Sequence, residues 1–229
     1  MTVKITWHGH ATFSLDVNGT KLVVDPFLKG NSPVAQVSAD EVDADYILLT
    51  HAHGDHIADA MPIAQRCGAT IIANFEIGNW YNAQGYEKVH SQHLGGGFQH
   101  PFGHVKMTTA FHGSSFPDGS YGGMPAGFLL TVDDKKIYIA GDTALYSDMA
   151  LIGRDGLDVA ILPIGDNYTM GPADSILAIN YLKPKLVIPC HYNTFPPIEV
   201  DIEAWTAAVK DKTEAEPVVL DIEGSYELS

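Results

Sequence analysis

Residues 50–56 read Thr50-His51-Ala52-His53-Gly54-Asp55-His56, directly after the apolar run Tyr46-Ile47-Leu48-Leu49. The run has the length and composition of a buried strand. A glycine inside the polar stretch permits a tight backbone turn, so three imidazoles and a carboxylate can converge beyond the strand's end. A helix is expected soon afterwards, with Asp59 as N-cap and Pro62 in its first turn. A hydrated turn at a strand end does not call for four metal-capable side chains within six residues. Neutral imidazole and carboxylate suit divalent zinc, manganese, iron and nickel.

Outward from this turn, the chain reads as strands before it and as strand–helix alternation after it. Residues 3–7, 12–17 and 21–25 alternate as short strands, and Asn18-Gly19 marks a hairpin. His8 and His10 fall between the first two strands, and Asp25 ends the third. Downstream, the patterns predict helices at 60–67, 75–84, 173–182 and 202–210. Strands are expected at 70–73, 104–111, 159–164, 186–189 and 217–221, with a hairpin of 128–132 and 136–140 across Asp133-Asp134. The pattern repeats in two halves. It predicts an α/β fold with two mixed sheets face to face and helices outside, a four-layer αββα sandwich in one domain over 1–229. Between 90 and 104 lie His90, His93, His100, His104 and three consecutive glycines, at a spacing that matches no metal template. His93 stays a weaker candidate for approaching the active cleft.

His51-Ala52-His53-Gly54-Asp55-His56 resembles the H-x-H-x-D-H signature of the metallo-β-lactamase superfamily. The superfamily's remaining ligands are a His, an Asp and a His in that order. His112 in Ala110-Phe111-His112-Gly113, Asp142 in Gly141-Asp142-Thr143 and His191 in Pro189-Cys190-His191-Tyr192 match them. Gly9-His10-Ala11, Asp25-Pro26-Phe27, the stretch from Leu162 to Pro172 and His191-Tyr192-Asn193-Thr194-Phe195-Pro196 resemble one branch in particular. That branch comprises small metal-dependent hydrolases related to the ascorbate-6-phosphate lactonases, and the likeness runs nearly end to end.

The resemblance implies a dinuclear site. His51, His53 and His112 would hold one metal ion; Asp55, His56 and His191 would hold a second; Asp142 would bridge them. Two divalent ions are thus expected, zinc first, with manganese, iron or nickel also accommodated. A water between two such ions can reach a pKa of about 7 and serve as a bridging hydroxide nucleophile. The implied activity is hydrolysis of a small-molecule ester, lactone, amide or phosphodiester. Asp55 could orient the nucleophile or pass a proton to the leaving group, and His10 is the second candidate for proton delivery. For His10 a hydrogen-bonded structural histidine is an equal alternative. For Asp142 the competing role is a helix N-cap. The resemblance reads Asp25 as support for the metal loop, since a buried carboxylate needs hydrogen-bond partners. Residues 165–172 are expected on the edge of the sheet where substrate would be met, with a subunit contact or a loop tied down by its own hydrogen bonds as the alternatives.

Composition excludes some classes. The formal net charge is −15, from 13 Lys plus Arg against 28 Asp plus Glu, and such a field repels nucleic acid and anionic membranes. A nuclease acting on nucleic acid is therefore the lesser alternative, alongside a non-catalytic metal-binding regulator. No apolar run is long enough to span a bilayer, and the first residues lack a signal-peptide layout, so the cytoplasm is expected. The two cysteines, Cys67 and Cys190, do not suggest a disulfide framework. Cys190 adjoins His191, but successive strand side chains face opposite ways, which favours packing over ligation. Trp80, Tyr81 and Phe195 are expected to be exposed aromatics, which would allow a homo-oligomer.

Overall fold

The computed structural model describes residues 2–229. In chain order, β1 (Val3–Gly9), β2 (Thr12–Val17), β3 (Thr20–Val24) and β4 (Tyr46–Leu48) lead to α1 (Gly54–Ile57) and α2 (Ala60–Cys67). Next come β5 (Thr70–Asn74), α3 (Phe75–Ala83), β6 (Val89–Gln92), β7 (Gly97–His100), β8 (Gly103–Thr109), β9 (Ala126–Val132) and β10 (Lys135–Ile139). The rest is α4 (Met149–Gly153), β11 (Leu157–Pro163), α5 (Pro172–Leu182), β12 (Pro184–Cys190), α6 (Ile202–Lys212), β13 (Glu216–Pro217) and β14 (Ser225–Leu228). The chain divides into two compact units: Met1–Gly96 with Gly113–Pro125 and Leu220–Ser229, and Gly97–His112 with Ala126–Val219. Each unit is built on one seven-stranded sheet.

The first sheet has the order β14-β1-β2-β3-β4-β5-β6. β1, β2 and β3 form an antiparallel meander, and β3 through β6 run parallel. Strands β1, β3, β4 and β5 therefore point the same way, and the residues that follow them emerge at one edge. The parallel pair Val24↔Leu48 and the Asp25 N–H donating to Leu48 O at 3.0 Å bring Asp25 out beside the chain leading to Thr50. Val3, Ile5 and Trp7 of β1 are buried while Lys4 is exposed, the period of two that a half-buried strand requires. Ile47, Leu49, Ile63, Ala64, Ile71, Ile77 and Tyr81 form the core between the strands and α2 and α3. Each fully buried aliphatic side chain there contributes about 1.5–3 kcal/mol.

The second sheet has the order β13-β12-β11-β10-β9-β8-β7. β8, β9 and β10 are antiparallel neighbours, and β10 through β12 are parallel, so β8, β10, β11 and β12 share one direction. β11 is buried along its whole length, as expected of a strand inside a parallel sheet. Helix α5 turns Ile176, Ala178, Ile179 and Leu182 inward, and Trp205 of α6 donates its indole N–H to Ser175 Oγ at 2.9 Å.

Several expectations need correcting. The expected helix forms at Ala60–Cys67 with Asp59 in its N-cap position, but it is not the first helical turn after the motif. The short α1 starts at Gly54, inside the motif itself. Asp59 makes no side-chain cap bond and instead accepts from Leu28 N–H and Asn31 Nδ2 at 2.7 and 2.9 Å. The histidine-rich stretch contributes β6 and β7, which polar composition concealed. The final strand is not 217–221; only Glu216–Pro217 pairs with β12, and β14 crosses back to β1. Of the aromatics expected at the surface, Tyr81 is buried in the first core and offers no surface for association, and Trp80 and Phe195 are only half-buried rather than exposed.

Candidate functional site

In the first unit, Asp25 is the hub of the site. It is buried and accepts three hydrogen bonds: from Thr50 N–H at 2.8 Å, from the Thr50 hydroxyl at 2.5 Å and from His56 Nδ1 at 2.8 Å. Burial holds its carboxyl above the usual carboxylate range, and the charge and hydrogen bond of His56, then Thr50, only partly offset this. Because the Thr50 hydroxyl donates to Asp25, it can only accept from His51 Nδ1, 3.0 Å away. His51 and His56 thus both carry the proton on Nδ1, and both offer the Nε2 lone pair.

That orientation is what a metal needs. The donor atoms of Asp25, His51 and His56 lie within 4.8 Å of one another, and His51 Nε2 is 3.0 Å from His53 Nδ1. Two nitrogens bound to one tetrahedral zinc would stand about 3.3 Å apart. Asp55, on the first turn of α1, places Oδ2 3.9 Å from His56 Nε2. The donor set, its burial and its tautomers fit a divalent ion.

His10 joins this cluster. It is fully buried, and its Nε2 stands 3.0 Å from Asp55 Oδ2. Trp7 donates its indole N–H to the His10 carbonyl at 3.0 Å, and the ring packs edge-on against Phe27 at 5.6 Å. His10 and Asp25 adopt φ of 52° and 44°, left-handed conformations that cost non-glycine residues energy. By contrast, Gly54 has no positive φ, so the tight glycine turn expected there is absent. The convergence comes from the helical turn of α1 and from strain at His10 and Asp25, which sequence patterns do not display.

In the second unit, Asp142 lies between two imidazoles. Its Oδ2 is 3.1 Å from His191 Nε2 and 3.5 Å from His112 Nε2. All three residues follow strands of one direction: His112 after β8, Asp142 after β10, His191 after β12. No helix begins at Asp142, and α4 takes Asp148 as its N-cap position, so the capping role falls away. His191 has φ 53°, and its carbonyl oxygen fills the space where a side chain on Gly165 would stand. A Cβ there would lie 2.1 Å from that oxygen, so the glycine is needed for the close approach of the two segments.

His93 is exposed and stacks against Phe75 at 5.8 Å; it joins no cluster of potential ligands among the described residues. Cys190 is buried and Cys67 half-buried, neither in a disulfide. Patterns in the chain did not signal the roles of Thr50, which relays between Asp25 and His51, or of Gly165.

Known proteins similar to this chain share its family and fold. Residues 4–191 match the family described as the beta-lactamase superfamily domain. A protein of Shouchella clausii named UPF0173 metal-dependent hydrolase is 45% identical, over 99% of this chain and all of the relative. One of the same name from Thermus thermophilus is 48% identical over 92% of both chains. Among solved structures, Igni18, a metallo hydrolase from Ignicoccus hospitalis, superposes with a TM-score of 0.91 at 33% identity, covering 100% of this chain and 99% of that one. YhfI of Bacillus subtilis, a metallo-beta-lactamase fold protein, matches in fold with a TM-score of 0.77 at 14% identity over all of both chains.

Proposed function

The chain belongs to the beta-lactamase superfamily and, within it, to the UPF0173 metal-dependent hydrolases, with the αββα fold class of that superfamily; from this we propose that it hydrolyses a small-molecule ester, lactone, amide or phosphodiester at a dinuclear metal centre. The observation that carries the reading is the Asp25 hub, whose bonds to Thr50 and His56 leave the Nε2 atoms of His51 and His56 unprotonated and able to serve as ligands.

His51, His53, Asp55 and His56 of the first unit and His112, Asp142 and His191 of the second would hold the ions. The support for joining the two sets is the ligand order of the superfamily. When bound, divalent ions lower the pKa of a water to about 7 and polarise the oxygen of the bond to be cleaved. Zinc is the first choice for this donor set. The chain's own residues supply orientation and proton handling. Asp25 fixes the tautomer of His56 directly and that of His51 through Thr50, so that each presents an unprotonated Nε2. Asp55, hydrogen bonded to His10, is positioned to take a proton from the nucleophile and return it to the leaving group. The left-handed backbone at His10 sets this pair before substrate arrives.

Among the described residues no helix is long and apolar enough to cross a membrane. Two cysteines without a disulfide fit a reducing cytoplasm, and the acidic surface disfavours nucleic acid as a partner.

The test is chelation followed by reconstitution with zinc, manganese, iron or nickel. Turnover of bis(4-nitrophenyl) phosphate and of simple lactones is expected to vanish on stripping and to return with metal. Absence of turnover from every loaded form, on every substrate class named, would overturn the reading in favour of a regulator.

A further inference from the structure

Two of the large aromatic side chains that the second unit exposes are anchored beside Asp142. Phe111 is 58% exposed and Tyr168 is 55% exposed. Single exposed apolar residues are ordinary on protein surfaces. These two are distinguished by a shared anchor. Thr143, fully buried and next in sequence to Asp142, accepts from Phe111 N–H on its hydroxyl at 3.0 Å. It also accepts from Met170 N–H on its carbonyl at 2.9 Å. One buried residue therefore fixes both the segment that bears Phe111 and the loop that bears Tyr168.

Both segments are braced to stay where they are. Ala144 N–H donates back to Phe111 O at 3.1 Å. The Phe111 ring packs against Tyr146 at 5.1 Å, and the Tyr146 hydroxyl donates to Thr109 O at 2.6 Å. The loop after β11 turns through two consecutive left-handed residues, Asp166 (φ 60°) and Asn167 (φ 48°), immediately before Tyr168. Its far end is secured by Met170, which is only 2% exposed. β11 lies between β10 and β12, whose ends carry Asp142 and His191. The aromatic loop therefore rises from the same sheet edge as those two donors, between them. Strained backbone held by a well-packed surround concentrates at sites of function.

We propose that Phe111 and Tyr168 form an aromatic rim that selects substrates carrying a flat apolar group, an arene or its equivalent, next to the bond to be cleaved. This rests on the metal-dependent hydrolysis proposed above and narrows its substrate class. A ring laid across Phe111 or Tyr168 would gain about three- to tenfold in affinity per aromatic partner.

The test uses two phosphonates that differ only in the group in question. The metal-reconstituted protein is titrated calorimetrically with phenylphosphonate and with methylphosphonate. Phenylphosphonate is expected to bind about tenfold tighter. Phe111→Ala and Tyr168→Ala should each reduce that ratio to about threefold or less, with metal content by mass spectrometry unchanged. A matched turnover pair, dihydrocoumarin against δ-valerolactone, should show the same loss of preference in KM. Equal binding of the two phosphonates by the wild-type protein, or a ratio that neither substitution moves, overturns the rim while leaving the hydrolase reading intact. Concentration-dependent dimerisation that disappears in Phe111→Ala, with the ratio unmoved, overturns it in favour of a contact between copies of this chain. If neither phosphonate binds and metal makes no difference, the hydrolase reading fails together with the rim.

Discussion

The two units assemble their donors in opposite ways. The first takes four from one turn of chain, residues 51–56, and orients two of them, His51 and His56, through a single buried carboxylate. The second takes three from residues 112, 142 and 191, each beyond a different strand. In the first, local helical geometry and one hub set the angles. In the second, strand register sets them, and Gly165 must stay small for His191 to reach its place. A local cluster should thus be sensitive to its hub and tolerant elsewhere, whereas a dispersed one should be sensitive to the backbone that carries it.

The largest effect expected is from Asp25→Ala. It leaves a buried His56 and the Thr50 donors without their acceptor and should cost about 3–5 kcal/mol in urea unfolding. Metal affinity should fall about 10- to 100-fold by competitive chelation. Retention of both would show that the first cluster does not depend on its hub. Next comes His10→Ala, expected to lower kcat about 100-fold with metal content kept. A loss of metal instead would make His10 part of the scaffold.

The glycine pair sharpens the contrast directly. Gly165→Ala should cost about 1–3 kcal/mol and reduce metal content, because its Cβ would meet the His191 carbonyl. Gly54→Ala should be neutral or stabilising by up to about 1 kcal/mol, as its Cβ would meet only the Pro117 ring at 3.7 Å and its backbone is helical. Equal penalties for the two would remove the distinction between local and dispersed assembly.

The smallest effect concerns the other edge of the second sheet. Asp158 accepts from Lys185 Nζ and from Lys136 N–H, both at 2.8 Å. Burial pushes its carboxyl up, but these bonds and the Lys185 charge outweigh burial and hold it below its usual range. The folded state therefore gains stability above the unfolded pKa of about 3.9 and loses it as pH falls through the lower folded value. With Lys185 largely exposed, Asp158→Asn should cost no more than about 1 kcal/mol at neutral pH. It should also flatten the acid limb of the stability curve and leave metal content unaltered. A change in metal content would mean that the two edges of this sheet are coupled.

Legibility followed the same division. The 51–56 turn announced itself because its residues are adjacent in the chain, and adjacency survives in a one-dimensional record. His112, Asp142 and His191 could be picked out only by their order in a family resemblance, and each sits among residues that spacing leaves ambiguous. Strands such as β2 and β12 were readable from period and apolar content. β6 and β7 were not, because histidine, glutamine and glycine carry no strand signal and their pairing is decided by neighbours. β14 was missed because what makes it a strand is β1, more than two hundred residues earlier.

The amino-acid sequence by itself determined the family, the candidate ligand types and those elements whose pattern is local, since these reside in residue identity and short-range periodicity. Tertiary structure alone decided which nitrogen His51 and His56 offer, that His10 reaches Asp55, that Gly165 makes room for His191 and that one threonine anchors the two segments bearing Phe111 and Tyr168. Those facts are distances between segments far apart in the chain. They depend on hydrogen-bond networks and on left-handed backbone that packing stabilises, which no local pattern of residues encodes.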